Sequence, residues 1–388
     1  MKTARAAVLE RYLQPLQLRS FPLPSPPAPR TALVRTQMAG ICGTDVHLWK
    51  GELPIQLPVI LGHETVGLVE ELGPGFGPCW NGDPLQVGDR ITWNSTVSCG
   101  KCFYCAQKQQ PTRCPERRAY GIGYSCAAPP HFLGGYAEFH TLMPGATVFK
   151  LPPDLATESV IGAGCALITA IHGVERICME TAKKSPETAD DSAGMPLLPS
   201  LWQDWVVIQG AGPVGIAALA VAQRAGARQT IVIGGPAPRL QLAQRFGADH
   251  VISLEDFPQP ADRIRQVLQL TGGHGADAAL ECVGHPSAFT EGVEMCRDGA
   301  KYLVLGHYCN AGPYPFNPHL ITRKQLQVLG SWSSEPRHLQ AALQFLSATR
   351  ERFPFHEMVT HRFRLEEADQ ALATTARWES AKSVVVPS

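Results

Sequence analysis

Apolar and polar positions change rhythm part-way along the chain. Through roughly the first 165 residues the apolar residues fall in short alternating runs, among them Thr31–Thr36 (TALVRT), Thr65–Glu70 (TVGLVE) and Asp89–Trp93 (DRITW). A period of two residues places one face of each run against a core, which predicts half-buried strands. Gly- and Pro-rich stretches separate them, the longest from Phe21 to Arg30. From Trp205 onward, near-continuous apolar runs at Trp205–Gln209, Gln229–Ile233, His250–Ser253, Asp277–Glu281, Tyr302–Gly306 and Leu326–Gly330 alternate with stretches of helical period such as Pro213–Ala225 and Arg239–Phe246. Six strands with intervening helices predict a doubly wound parallel sheet with both faces covered. An amphipathic helix over Pro336–Ala348 and closing strands follow. That tail is too short to fold alone, so the expected division is 1–165 with 331–388, and 166–330. Between them, the polar stretch 179–204 shows no periodicity and predicts a surface insertion.

Composition narrows the class. The 388 residues carry 34 basic and 34 acidic side chains, a balance that argues against nucleic acid or an anionic membrane as partner. No apolar run reads as long enough to span a bilayer, and the N-terminus lacks the apolar stretch of a signal peptide. Twelve cysteines without an export signal point to thiols kept reduced, hence a cytoplasmic protein.

Four of those cysteines, Cys99, Cys102, Cys105 and Cys114, are separated by two, two and eight residues. This spacing brings four thiolates within reach of one tetrahedral ion, the pattern of closed structural zinc sites. Further on, WVVIQGAGPVG places Gly210, Gly212 and Gly215 between a strand and a helix, around Pro213 and Val214. The first glycine makes the turn, the second admits a pyrophosphate close to the backbone, and the third lets the helix pack on the strand. At the end of the next strand, where a carboxylate would bind both ribose hydroxyls of NAD, stand Gly234 and Gly235, with Arg239 near enough in sequence to attract a 2′-phosphate. The pattern leaves NAD and NADP both open.

ICGTDVH at Cys42, GHE at His63, the cysteine lobe, GGYAEF at Gly134–Phe139, GAGCALIT at Cys165 and the GAGPVG turn occur in that order over nearly the whole chain. Together they resemble the zinc-dependent medium-chain dehydrogenase/reductases, in the alcohol and polyol dehydrogenase branch. The resemblance implies a GroES-like, mostly β catalytic domain joined to a six-stranded Rossmann domain. It implies two zinc ions per subunit, the second held by Cys42, His63 and Cys165 with one position left open, and Glu64 beside it. Asp45 would fix the tautomer of His63, Thr44 would hydrogen-bond the substrate oxygen, and His47 would end a proton relay to solvent. Lys382, where the family often places a cation, would reach a cofactor phosphate. The implied activity is hydride transfer between an alcohol, or its aldehyde or ketone, and NAD(P); a reductase working in the opposite direction and a non-catalytic zinc and nucleotide binder of the same fold are the alternatives. A homodimer or homotetramer joined near Leu326–Gly330 is expected too. Trp49, Trp93, Tyr120 and Phe132 are candidate substrate-wall aromatics, each more readily explained as core. The chain departs from the family pattern in the eight-residue last gap of the lobe, the long loop Gly73–Gly88 before it, and the insertion before Trp205.

Overall fold

Alternation in the first part of the chain becomes sheet. The computed structural model describes residues 2–179, 201 and 203–387, and among them two units separate. The first comprises Met1–Gly164, Glu335–Leu343 and Phe355–Ser388. Its main sheet runs in the order Val148–Lys150, Arg90–Trp93, Glu64–Leu72, Ala32–Gly40, Lys382–Val386, Val359–Arg364, with Phe139–Leu142 also paired to Ala32–Gly40. Thr3–Leu9 lies between Gln17–Pro22 and Val59–Ile60 in a second, three-stranded sheet. The C-terminal strand Lys382–Val386 is therefore an internal strand, which fixes the tail to this unit. This is the GroES-like architecture, and its core is built from Val8, Ile41, Leu48, Ile60, Phe132 and Leu372 among others.

Three of the four candidate wall aromatics belong to this packing. Trp93 and Tyr120 sit in a core cluster with Val34, Val69 and Ile91, and Phe132 is fully buried. Trp49 packs on the edge of the core and donates from its ring nitrogen to the Gln14 carbonyl at 2.9 Å.

His140 stands between Trp93 and Tyr120, with ring centroids 4.6 and 4.9 Å away. It is fully buried, and neither ring nitrogen has a hydrogen-bond partner. Burial holds its pKa down to about 3 against the opposing pull of the Gly134 backbone. An imidazole that protonates near 6.5 when unfolded takes up its proton on unfolding anywhere between those two values. Stability therefore falls as pH drops below about 6.5, by about 1.4 kcal/mol per pH unit for this one group. The check is the urea midpoint at pH 7 and pH 5.5: His140→Phe is expected to flatten the pH slope relative to the parent. Equal slopes in the two proteins would remove His140 as the cause.

The second unit, Cys165–Ser334 with Gln344–Pro354, holds six parallel strands in the order His250–Ser253, Gln229–Gly234, Trp205–Gln209, Ala276–Glu281, Cys296–Val304, Gln327–Gly330. Strand order reverses direction between Trp205–Gln209 and Ala276–Glu281, the switch point at which open α/β sheets bind ligands. Several boundaries differ from the sequence expectation: the fifth strand begins at Cys296 rather than Tyr302, and Cys165 and residues 331–334 group with this unit. The fifth strand ends at Val304, because the amides of Leu305 and Gly306 turn to the Glu281 carbonyl at 2.9 and 3.0 Å. Residues Gln344–Pro354, expected with the catalytic tail, group with this unit, where Phe353 stacks on Phe246 and Phe345.

Contrary to the expectation from apolar runs, the helix segment Thr157–Cys178 is long and apolar enough to cross a membrane, yet 67% of its most apolar window is buried inside the protein. It is a core helix. The expected insertion at 179–204 lies almost wholly outside the described residues.

Candidate active site

Helix Gly43–Lys50 begins directly after Cys42, so the ICGTDVH motif forms a helix start. Asp45 is its third residue and is fully buried. One carboxylate oxygen accepts from the Cys42 amide at 2.8 Å and the other from the Gly62 amide at 3.2 Å. The latter oxygen also lies 3.3 Å from Nδ1 of His63. Asp45 thus ties the Cys42 and His63 loops together and engages one imidazole nitrogen, which leaves Nε2 for another role. Burial alone would disfavour the charged imidazole; the Asp45 carboxylate and the Cys42 sulfur outweigh it and push the pKa of His63 well up.

Cys42, His63, Glu64 and Cys165 each offer a ligand atom, all within 4.8 Å of one another. Cys165 arrives on the helix Thr157–Met179, which breaks its helical geometry at Gly164, where φ is +45°. A Cβ at that position would lie 2.6 Å from a Glu64 carboxylate oxygen, so the preceding glycine lets the helix approach Glu64 closely. Two sulfurs and an imidazole, gathered beside the Glu64 carboxylate, form a donor set that suits a divalent cation. The residues fit zinc.

Thr44 and His47 follow on the same helix. Thr44 Oγ1 lies 3.8 Å from Cys42 Sγ. His47 is partly exposed, with Nδ1 hydrogen-bonded to Glu52.

Lys382 does not stand where a cofactor phosphate was expected to draw it. It is buried in the first unit, and its ammonium pairs with Glu64, the two side chains being 2% and 3% exposed.

The lobe cysteines also converge: the four sulfurs of Cys99, Cys102, Cys105 and Cys114 lie within 4.8 Å of one another despite the longer final gap. The amides of Lys101 and Cys102 pull the Cys99 thiol down to about 7, while burial and the neighbouring Cys102 push Cys105 up to about 12. Four thiolates so close do not ionise together without a cation to offset them.

In the second unit the fingerprint turn has the expected form. Gly210 has φ +104°, and a Cβ on Gly215 would overlap the Gly210 carbonyl. Helix Pro213–Arg224 starts at Gly212, carrying Pro213 and Val214 in its first turn. Space beside Gly212 is bounded by the Arg239 guanidinium, whose Nη1 would lie 3.9 Å from a Cβ there. Gly234 is closed: a Cβ would come within 2.7 Å of the Ala211 amide nitrogen. Gly235 is open, its nearest neighbour 3.9 Å away.

Sequence reasoning passed over Glu281, the last residue of its strand. It is fully buried and accepts from the amides of Val283 (2.7 Å), Gly284 (2.6 Å) and Gly306 (3.1 Å), joining two loops at the carboxyl edge of the sheet. The available signal was an acidic residue ending an apolar run just before a glycine turn, ALECVG.

Two family models match the chain: "Alcohol dehydrogenase GroES-like domain" over residues 28–153 and "Zinc-binding dehydrogenase" over 213–348. It is 33% identical to 5-exo-hydroxycamphor dehydrogenase of Pseudomonas putida across 99% of both chains. The chain belongs to the zinc-dependent medium-chain dehydrogenase/reductase family. A crystal structure of an alcohol dehydrogenase from Thermotoga maritima superposes with a TM-score of 0.88 at 33% identity, covering all of both chains. A Sinorhizobium meliloti 1021 protein solved with NADP gives 0.81 at 26% identity over the whole of both chains. The protein is accordingly an oxidoreductase of the alcohol dehydrogenase type.

Proposed function

We propose that the protein is a zinc- and NAD(P)-dependent dehydrogenase that oxidises an alcohol, or reduces its carbonyl, at Cys42, His63 and Cys165. The observation that carries this reading is the convergence of those three donors, with Asp45 held behind His63 by two backbone amides. Zinc, when bound, supplies Lewis acidity toward the substrate oxygen, and the nicotinamide accepts or donates the hydride. The chain's own residues supply the rest. Asp45 keeps a proton on Nδ1 of His63 and so presents Nε2 as a ligand. The Thr44 hydroxyl, beside Cys42, accepts the proton that the substrate hydroxyl gives up and releases its own toward His47. His47, one helical turn further and partly exposed, passes a proton on to solvent.

Between the two cofactors we favour NADP. No carboxylate stands at Gly234 or Gly235, and the Arg239 guanidinium faces the fingerprint turn at Gly212. Arg239→Ala is expected to raise the KM for NADP roughly 10- to 100-fold, the worth of a charged hydrogen bond, while NAD changes far less. Equal effects on both would place the 2′-phosphate elsewhere. An added carboxylate belongs at Gly235, since a side chain at Gly234 would strike Ala211.

The name of the Pseudomonas relative suggests secondary alicyclic alcohols for the substrate panel, alongside linear alcohols and polyols. Zinc-loaded protein assayed with each cofactor and this panel, in both directions, tests the reading; tight cofactor binding without turnover on any member would favour a binder. We further propose a homo-oligomer through the exposed edge strand Gln327–Gly330, checked by light scattering of the eluted protein.

A further inference from the structure

Glu64 sits in two places at once. One of its oxygens lies within 4.8 Å of the Cys42, His63 and Cys165 donor atoms, and Oε2 pairs with the Lys382 ammonium. As a ligand it would complete four protein donors, and four protein donors make a closed, structural shell rather than one that admits substrate.

We propose that Lys382 is a positioning residue that holds the Glu64 carboxylate off the catalytic metal and thereby keeps the fourth coordination place open. The inference rests on the metal reading above and goes beyond it. Backbone pairing brings the two side chains together: Glu64 opposes Gly40 in one strand pair, and Lys382–Val386 pairs with the same strand through Val384 and Gly40. Gly40 makes room for them, since a Cβ there would overlap Glu64 Oε2 and lie 3.0 Å from Lys382 Cε. A Cβ on Gly164, the residue before Cys165, would lie 2.6 and 2.8 Å from the two Glu64 oxygens, so this glycine too makes room for the carboxylate. The lysine therefore clamps the carboxylate at Oε2 while the carboxyl group stays within reach of the Cys42, His63 and Cys165 donor atoms. Charge favours the same division: two thiolates match a divalent ion, and the ammonium cancels the carboxylate, so neither buried charge is left unpaired.

Full-length Lys382→Met, Lys382→Arg and the double variant E64Q/K382M test this, each loaded with zinc and followed both by turnover and by release of zinc to a chromogenic chelator. In Lys382→Met the carboxylate is freed to ligate, so kcat/KM should fall at least tenfold while zinc release slows several-fold. Arginine, which keeps the charge, should behave as the parent. Adding E64Q to K382M should recover at least fivefold in turnover and restore fast release, since an amide is a poor ligand. The proposal is overturned if K382M releases zinc as fast as the parent, or if the double variant is no more active than K382M. If K382M fails to fold, the double variant, which lacks both members of the Glu64–Lys382 charge pair, decides alone: release slower than the parent's overturns the proposal. Cys42→Ser separates this from the underlying reading, because only failure of the metal assignment leaves its zinc content and turnover unchanged.

Discussion

Replacing His63 with alanine, or Cys42 with serine, is expected to lower kcat/KM by at least three orders of magnitude, about 4 kcal/mol of transition-state stabilisation. Cofactor affinity, read by quenching of protein fluorescence, should change less than threefold. The expectation follows from how few groups there carry the chemistry. In the proposed mechanism Thr44 and His47 would move protons, and stabilising a developing alkoxide would fall to a metal held by Cys42, His63 and Cys165. Asp45→Asn makes the graded companion. Asp45 would act on a bound metal only through residues it holds, Nδ1 of His63 and the Cys42 amide, and such partners are worth about 10- to 100-fold. If His63→Ala kept more than a tenth of parental turnover, hydride transfer would have to occur away from this cluster.

Much of this site was legible in the sequence because its spacing is local. Cys42, Thr44, Asp45 and His47 share one helix start, and the lobe cysteines share one loop, so the chain alone sets their neighbourhood. The glycines of the fingerprint were readable for a related reason: each answers a backbone demand that only glycine meets, as the positive φ of Gly210 and the crowding at Gly215 illustrate. What stayed hidden depends on strands far apart in sequence. Lys382 looked like a phosphate ligand until the register of the C-terminal strand against Ala32–Gly40 placed it on Glu64. His140 lies on a strand whose alternation says only which face is buried, not that Trp93 and Tyr120 would leave its ring without a partner. Gly234 reads as a vacancy for a carboxylate, but Ala211 fills the space beside it. Pairing partners, rather than local pattern, decide these three.

The lobe yields the second large effect, on structure instead of catalysis. Cys102→Ser should lose the lobe's metal, with zinc per subunit dropping by one in elemental analysis, and the segment between Thr96–Val97 and Arg118–Ala119 should become open to protease. The reason lies in what else holds that segment. Its two short helical turns, Phe103–Gln107 and Pro111–Arg113, bury no residue, and Phe103 is 51% exposed. Backbone bonds such as Ala106 to Cys102 at 2.8 Å, the Ser98 hydroxyl on the Pro111 carbonyl and the two-stranded ribbon at its base support it. With no residue buried in its helical turns, the lobe would draw its folding free energy from the metal we propose there, which for small isolated zinc sites is about 10–16 kcal/mol. Here the surrounding sheet folds around Val34, Ile91 and Trp93 without the lobe's help, so the loss should be local: protease cuts within the loop at native temperature, while the midpoint of global unfolding falls by several degrees only. Protection of the loop identical to the parent's would mean that the four sulfurs hold no structural ion.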